Sequence, residues 1–453
     1  MTGPLAVLLS VALAAVVACV NVSPTPTSTP RPTTASNPTP TTGQSPAATP
    51  TEAPTPTATL DESPGPETPL PSIDPELAQQ IDRVTAQIPP IRQLEPTEDV
   101  PYQFISRDQF RDELVELNNE DVPPEVRAAA ERMLKRLGLL PDDADLEALL
   151  LELYGAQVAA FYRPDNGRFY IIERNQPFGT IDRLITAHEY THALQDQHFD
   201  LEGTRITDPA ESDAALAQLA VIEGDATLTS QQWAIEHLTQ REVLELLTES
   251  LAGLDEQALE GMPLVLRREL EFPYAEGFAF VSDIYALGGF EAVDQALATP
   301  PASTEQILHS DKYYDQEAPV DVALGDISAS LGAGWSLAYQ QTMGELYTQL
   351  FVGGGEEPAF NLPGISVDWP HAEIAEGWGG DRLHMYEQSD GRWAIAWQTA
   401  WDTAADAEEF EDRANDLAST LDGVSLVSAS DPMTVTILIA ADQLTLDALA
   451  EAL

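Results

Sequence analysis

Residues Ile181 to Asp200 read IDRLITAHEYTHALQDQHFD. Within them His188, Glu189 and His192 form H-E-x-x-H, and the lead-in Leu184-Ile185 continues a helical pattern. On a helix, positions i and i+4 lie one turn apart on the same face, so both imidazoles can reach one ion. Glu189 then projects to where it can take a proton from a water polarised by that metal. The other reading is two histidines that only pack or solvate a helix, but the whole motif names a single zinc ion with a built-in base.

A catalytic zinc site needs a third protein ligand and an open position. His198 follows His192 at the spacing of the metzincin pattern H-E-x-x-H-x-x-G-x-x-H. That pattern turns the chain back at a glycine, and here the position is Gln195. If the helix continues, six residues turn about 600°, and His198 leaves the His188/His192 face. Glu223 is the second candidate, in AALAQLAVIEGDA from Ala214 to Ala226. Leu216, Leu219, Ala220, Ala226 and Ser230 share its helical face, so it is a carboxylate on a small, apolar stripe and needs a partner. A second helix delivering it to the metal would give the gluzincin arrangement of two His and a distant Glu. Glu276 is a further possibility.

Working back from the motif, VAAFYR (Val158 to Arg163) and RFYII (Arg168 to Ile172) flank Pro164-Asp165-Asn166-Gly167. Aromatic and β-branched runs around Asn-Gly predict a hairpin. By analogy with zinc peptidases, such a hairpin carries the strand along which a peptide substrate lies. Earlier still, Asp74-Pro75 opens a helix, Asp108 to Leu117 and Pro124 to Leu137 predict two more, and Asp145 to Tyr154 a fourth.

Downstream, Leu238 to Arg268 reads as a core-facing helix pair. In EFPYAEGFAFV (Glu271 to Val281), Gly277 permits close backbone approach, and Tyr274 could donate to a developing oxyanion or simply be a core tyrosine. Ser303 caps a short helix that carries His309, with Lys312 and Tyr313 nearby. His309 is the candidate transition-state donor, the alternative being a histidine that faces water. Beyond Pro319 the pattern predicts a helix from Gly334 to Leu350, a hairpin over Leu383 to Trp401 turning at Ser389-Asp390-Gly391, and a helix from Thr403 to Leu421. Strands near Val424 to Val427 and Met433 to Ile439 and a last helix from Asp442 follow. Asp381 and Arg382 either orient substrate or form an internal contact.

At the amino terminus, an apolar run from Leu5 to Val17 ends in Val16-Val17-Ala18-Cys19. Small residues before a lone cysteine resemble the lipobox of bacterial lipoproteins, whose signal is cut before a lipid-bearing cysteine. The leader Met-Thr-Gly-Pro lacks the usual Lys or Arg. From Ser23 to about Pro71 a Pro/Thr/Ser tract contains almost nothing to bury, and reads as an extended stalk. With one cysteine no intramolecular disulfide is available. The net charge is −54 and the only lysines are Lys135 and Lys312, which excludes a phosphate-backbone footprint and so nucleic acid as partner.

The segments HEYTHALQDQHFDL, VIEGDA, PYAEGFAFV, PPASTEQILHSDKY and GWGGDRLHMYE resemble a family of bacterial zinc metallopeptidases, often lipoproteins, whose activity is inferred mainly from the zinc-peptidase motif. The resemblance spans about Leu151 to Phe410. It implies that His188, His192 and Glu223 match the ligands of gluzincins and Glu189 the base. The expected fold is α+β and mainly helical, with a zincin-like core, a hairpin before the H-E-x-x-H helix and a smaller α+β carboxy-terminal region. Its expected divisions are a signal peptide at 1–19, a linker at 20–72, a peptidase domain at 73–330 and the terminal region at 331–453. The expected activity is extracytoplasmic hydrolysis of peptides or proteins by a lipid-anchored enzyme, with plain secretion as the alternative location. The rival functions are a zinc hydrolase of another bond and a non-catalytic lipoprotein whose metal only staples helices together.

Overall fold

A computed structural model describes residues 8–11, 74–173, 177–253, 262–361 and 366–453. The expected signal peptide, Cys19 and the stalk fall outside these residues, apart from a four-residue strand, β1 (Leu8–Val11).

Helix α1 (Pro75–Thr85) starts where sequence places it, because the Asp74 carboxylate accepts the Glu76 N–H and Pro75 has no N–H to leave unpaired. A short α2 (Ile88–Arg92) and strand β2 (Tyr102–Ile105) follow. In α3 (Arg107–Asp121) Ser106 and Gln109 cap each other reciprocally. After α4 (Pro124–Arg136), α5 (Leu146–Gln157) runs directly into β3 (Val158–Arg163). Strand β4 (Arg168–Ile172) pairs antiparallel with β3, and Gly167 closes the turn at φ +62°. With β2 parallel to β4 and β1 antiparallel to β3, the sheet order is β1-β3-β4-β2. Its two faces follow the period of two. Ala160, Tyr162, Phe169 and Ile171 pack toward the long helices that follow, while Phe161, Tyr170 and Ile172 pack on Phe110 and Leu114 of α3.

Those helices are α6 (Thr180–Phe199), α7 (Ser212–His237), α8 (Gln240–Gly253) and α9 (Leu264–Ala298), the last broken at Gly289, where φ is +63°. Ile185 and Ala193 of α6, Leu216, Ala220 and Val221 of α7, and Phe280 and Val281 of α9 share one core with the hairpin. Helices α7 and α9 cross at backbone contact. A Cβ on Gly224 would stand 2.2 Å from the Gly277 carbonyl oxygen, and one on Gly277 would stand 2.2 Å from that of Ala220. Glycine is the only residue that fits at either position.

Helices α10 (Thr304–Leu308, capped by Ser303), α11 (Ser310–Tyr314) and α12 (Ser328–Leu331) lead to a second sheet. The expected helix from Gly334 to Leu350 is corrected here. The segment is strand β5 (Trp335–Gln341), then a break, then α13 (Gly344–Gly353). Leu337 pairs with Tyr386 and Tyr339 with Met385 of a neighbouring strand, and Gly344 sits at φ +69°. The helix can start only there, where the Asp381 carboxylate accepts the N–H groups of Met343 and Gly344. Short strands β6 (Ala359–Asn361) and β7 (Ser366–Asp368) form a ribbon. Then come β8 (Trp378–Gln388), β9 (Trp393–Trp401), α14 (Ala404–Ala418), β10 (Val424–Asp431), β11 (Thr434–Ala440) and α15 (Gln443–Ala452).

The five strands are all antiparallel, in the order β10-β11-β9-β8-β5. One face packs on α13 and α14 through Trp378, Trp397 and Phe410, and Met133 and Leu134 of α4 join that core from the amino-terminal half. The other face is covered by Leu446 and Leu449 of α15. The architecture is thus α+β and mainly helical. Among the described residues no helix is long and apolar enough to cross a membrane.

Candidate metal centre

Helix α6 is held at its start by the Asp182 carboxylate, which accepts the Gly179 N–H, and it runs unbroken through Gln195 to Phe199. A glycine at Gln195 would have invited the metzincin turn; a glutamine does not. His198 therefore ends on the exposed last turn, its Nε2 2.8 Å from the Glu95 carbonyl oxygen. It is not part of the metal-ligating group, and the reason is the continued helical rotation.

One turn apart on the buried face, His188 and His192 meet edge to face with ring centroids 4.6 Å apart. Helix α7 brings Glu223 between them. Its Oε2 lies 3.1 Å from His188 Nε2 and 3.5 Å from His192 Nε2. One ligand atom from each of the three residues falls within 4.8 Å of the others, a grouping that could hold a metal ion. Glu189 is fully buried beside them, close enough for its charge to raise the pKa of His192. The ring of Tyr274, from α9, lies over that of His188 with centroids 6.2 Å apart.

The electrostatics of the group suit a cation. In a neutral imidazole one nitrogen donates and the other accepts, and while His188 Nε2 is within hydrogen-bond distance of Glu223, His192 Nε2 faces the same carboxylate without a hydrogen bond. With both Nε2 atoms as lone pairs, as metal ligation requires, the buried carboxylate would face only acceptors, and a positive charge among them would satisfy all three. Without a metal, protons take that role. Burial pushes His192 down, but the charge of Glu223 outweighs it and carries the pKa up to about 8. Burial likewise raises Glu223, and the two histidines overturn this to about 2. His188 is lowered, because burial there exceeds the help from Glu223.

Other residues singled out by sequence lie elsewhere. His309 Nε2 is 3.0 Å from Oε1 of Glu345, a fully buried carboxylate that also accepts from Gln349 Nε2. The Glu345 bond raises the pKa of His309. Lys312 stands among Glu305, Asp402 and Glu317 at 2.6, 2.7 and 3.0 Å, so its ammonium fills what would otherwise be an acidic cluster. Glu276 pairs with Arg268. Asp381 is an internal anchor: besides capping α13, it accepts the indole N–H groups of Trp378 and Trp397. Arg382 donates to the Ala210 carbonyl.

Behind the centre stand Asp225 and Arg92, which sequence did not single out, and Gln195, which it marked only as the departure from the metzincin glycine. Gln195 Oε1 is 2.8 Å from His192 Nδ1, Gln195 Nε2 donates to Asp225 Oδ2 at 2.8 Å, and Asp225 pairs with Arg92 Nε at 2.7 Å. An acid two positions after Glu223, on a helix of small residues, is the one signal that could have pointed to Asp225. Nothing local marks Arg92.

A family model described as a domain of unknown function (DUF8575) matches residues 336–448, which correspond to the second sheet with α13 and α14 and do not include the His188/His192/Glu223 group. No curated protein and no solved structure matches the chain.

Proposed function

We propose that the chain is a zinc-dependent metallopeptidase of gluzincin type, in which the hairpin, α6 and α7 make a zincin-like core. The observation that carries this reading is the convergence of His188, His192 and Glu223 with Glu189 on the adjacent position of the same helix. Two imidazole nitrogens and one carboxylate are a donor set that zinc favours in sites with an open position. A zinc ion held by them supplies Lewis acidity, which acidifies water and polarises a substrate carbonyl. Glu189 is the general base: it takes the proton from the attacking water and returns it to the leaving amine. Its burial keeps bulk water from competing for that proton. In this reading Tyr274, whose ring lies over His188, is the candidate donor to the developing oxyanion, whereas His309 belongs to the Glu345 pair. The lipobox-like Cys19 and the Pro/Thr tract support a lipid-anchored, extracytoplasmic location.

The burial of all four side chains favours a second reading, in which a metal only ties α6 to α7. Zinc content and cleavage of a peptide library, with and without chelator, separate the two. On the enzymatic reading Glu189→Gln keeps its zinc and loses turnover. Chelator-insensitive cleavage, or no cleavage by a zinc-loaded wild type across peptide, ester and amide substrates, would remove it.

A further inference from the structure

We infer that Gln195 is a positioning residue for the metal: through a relay anchored on Arg92 and Asp225, it fixes the tautomer of His192 so that the Nε2 lone pair faces the site. The inference rests on the reading of His188, His192 and Glu223 as a metal site. The links from Arg92 through Asp225 and Gln195 to His192 join side chains that are all fully buried.

The reasoning starts from the end farthest from the metal. Arg92 can only donate, and its Nε points to the Asp225 carboxylate, with Oδ1 at 2.7 Å and Oδ2 at 2.9 Å. Nη2 of the same guanidinium donates to Asp294 Oδ1 at 2.6 Å, which ties α9 into the relay. Facing a permanent cation, Asp225 is an acceptor. Gln195 places one end of its amide against Asp225 Oδ2 at 2.8 Å and the Ile222 carbonyl oxygen at 3.0 Å. Both are acceptors, so that end must be the NH₂ group and the amide cannot be flipped. The remaining end, Oε1, therefore faces His192 Nδ1 at 2.8 Å. An amide oxygen has no hydrogen to give. Nδ1 must carry the proton, and a neutral imidazole protonated there has its lone pair at Nε2, the atom 3.5 Å from Glu223 Oε2.

The donors thus converge on Asp225, Arg92 from one side and Gln195 from the other, while Gln195 in turn accepts from His192 Nδ1, whose Nε2 faces the metal position. A histidine that ligates through one nitrogen and donates from the other is oriented and made more basic by its acceptor. His188 has no equivalent: among the described residues its Nδ1 has no hydrogen-bond partner. The residue that stands where the metzincin pattern requires glycine is thus the one that orders the second ligand of a different kind of site.

The test uses the full chain. Zinc dissociation constants are measured by competition with a chelator, alongside the absorption spectrum of the cobalt-substituted protein and nitrogen NMR of labelled histidine. Gln195→Met keeps length and removes both polar ends; its zinc affinity should fall about 10–100-fold, with a changed cobalt spectrum. The double change Gln195→Glu with Asp225→Asn reverses the middle bond and keeps an acceptor against His192 Nδ1, although the other carboxylate oxygen loses the bond to the Ile222 carbonyl, and should recover part of the affinity and the wild-type spectrum. In the zinc-loaded wild type, His192 should show a protonated Nδ1 and a metallated Nε2. A folded Gln195→Met with unchanged affinity and spectrum, or metal on Nδ1 of His192, overturns the inference alone. A folded wild type that takes up no zinc overturns the metal reading and the inference with it. If Gln195→Met fails to fold, the wild-type NMR signature still decides.

Discussion

Replacing Gly277 by alanine sets two effects of opposite sign against each other. Alanine is the better helix former, and in an exposed helix interior the change would stabilise by about 0.8–1 kcal/mol. At the crossing of α7 and α9 the new methyl would stand 2.2 Å from the Ala220 carbonyl oxygen and 2.9 Å from its carbon. Carbon and carbonyl oxygen ordinarily stay about 3.3 Å apart or more, so the helices must separate by about 1 Å. Both contact atoms are backbone in the middle of long helices, so no side chain can swing aside. Overpacking of this kind costs about 1–3 kcal/mol and more where backbone must move, which exceeds the propensity gain. Separation would also draw α7, and with it Glu223, away from its packing. Gly277→Ala should therefore lower the unfolding free energy measured by denaturant titration and weaken zinc binding in the same sample. Gly224→Ala, whose methyl would meet the Gly277 carbonyl oxygen, should behave alike. A Gly277→Ala protein as stable as wild type or more so would refute the backbone-contact account.

Glu223→Gln should abolish stoichiometric zinc binding, whereas His198→Ala, on the exposed last turn of α6, should leave zinc content unchanged; metal analysis of the purified variants decides both. Burial raises three neighbouring carboxyls: Asp213 to about 8, Glu305 to about 7 despite the opposing Lys312, and Asp381 to about 6 despite its four N–H donors. Each holds its proton in the folded state over a range where the unfolded chain, titrating near pH 4, has released it, so the folded state binds more protons. Stability should accordingly fall as pH rises from about 4 to 8, by up to about 1.4 kcal/mol per unit for each group in its window, and Asp213→Asn should flatten the curve. Denaturant midpoints that rise across that range would contradict this. Lys312→Met should destabilise the fold and make its thermal midpoint respond to added calcium, because Glu305, Glu317 and Asp402 then lack their cation; the wild type should not respond.

The parts of the fold that were legible in sequence are those with local causes. Asp74, Ser303, Thr403 and Asp442 cap helices through bonds to residues two or three positions away. Asn166-Gly167 makes its turn because Gly167 tolerates a positive φ. The segment from Trp335 was misread as helix because its strand character comes from a neighbour: Leu337 and Tyr339 are held by Tyr386 and Met385, far along the chain.

The site divides in the same way. The i, i+4 spacing of His188 and His192 belongs to the sequence, since any helix there puts both rings on one face. The absence of glycine at Gln195 also belongs to it, and with that the continued rotation that sends His198 outward. Which carboxylate completes the group was decided by the packing of α7 against α6, and α7 is in turn seated on α9 where Gly224 and Gly277 meet. Tertiary structure alone places Gln195 between His192 and Asp225, and a hydrogen-bond direction cannot be read until both ends are in place. Sequence determines what short-range geometry determines; the third member of the His188/His192 group and the hydrogen bonds behind it depend on contacts whose partners lie 30 to more than 100 residues apart.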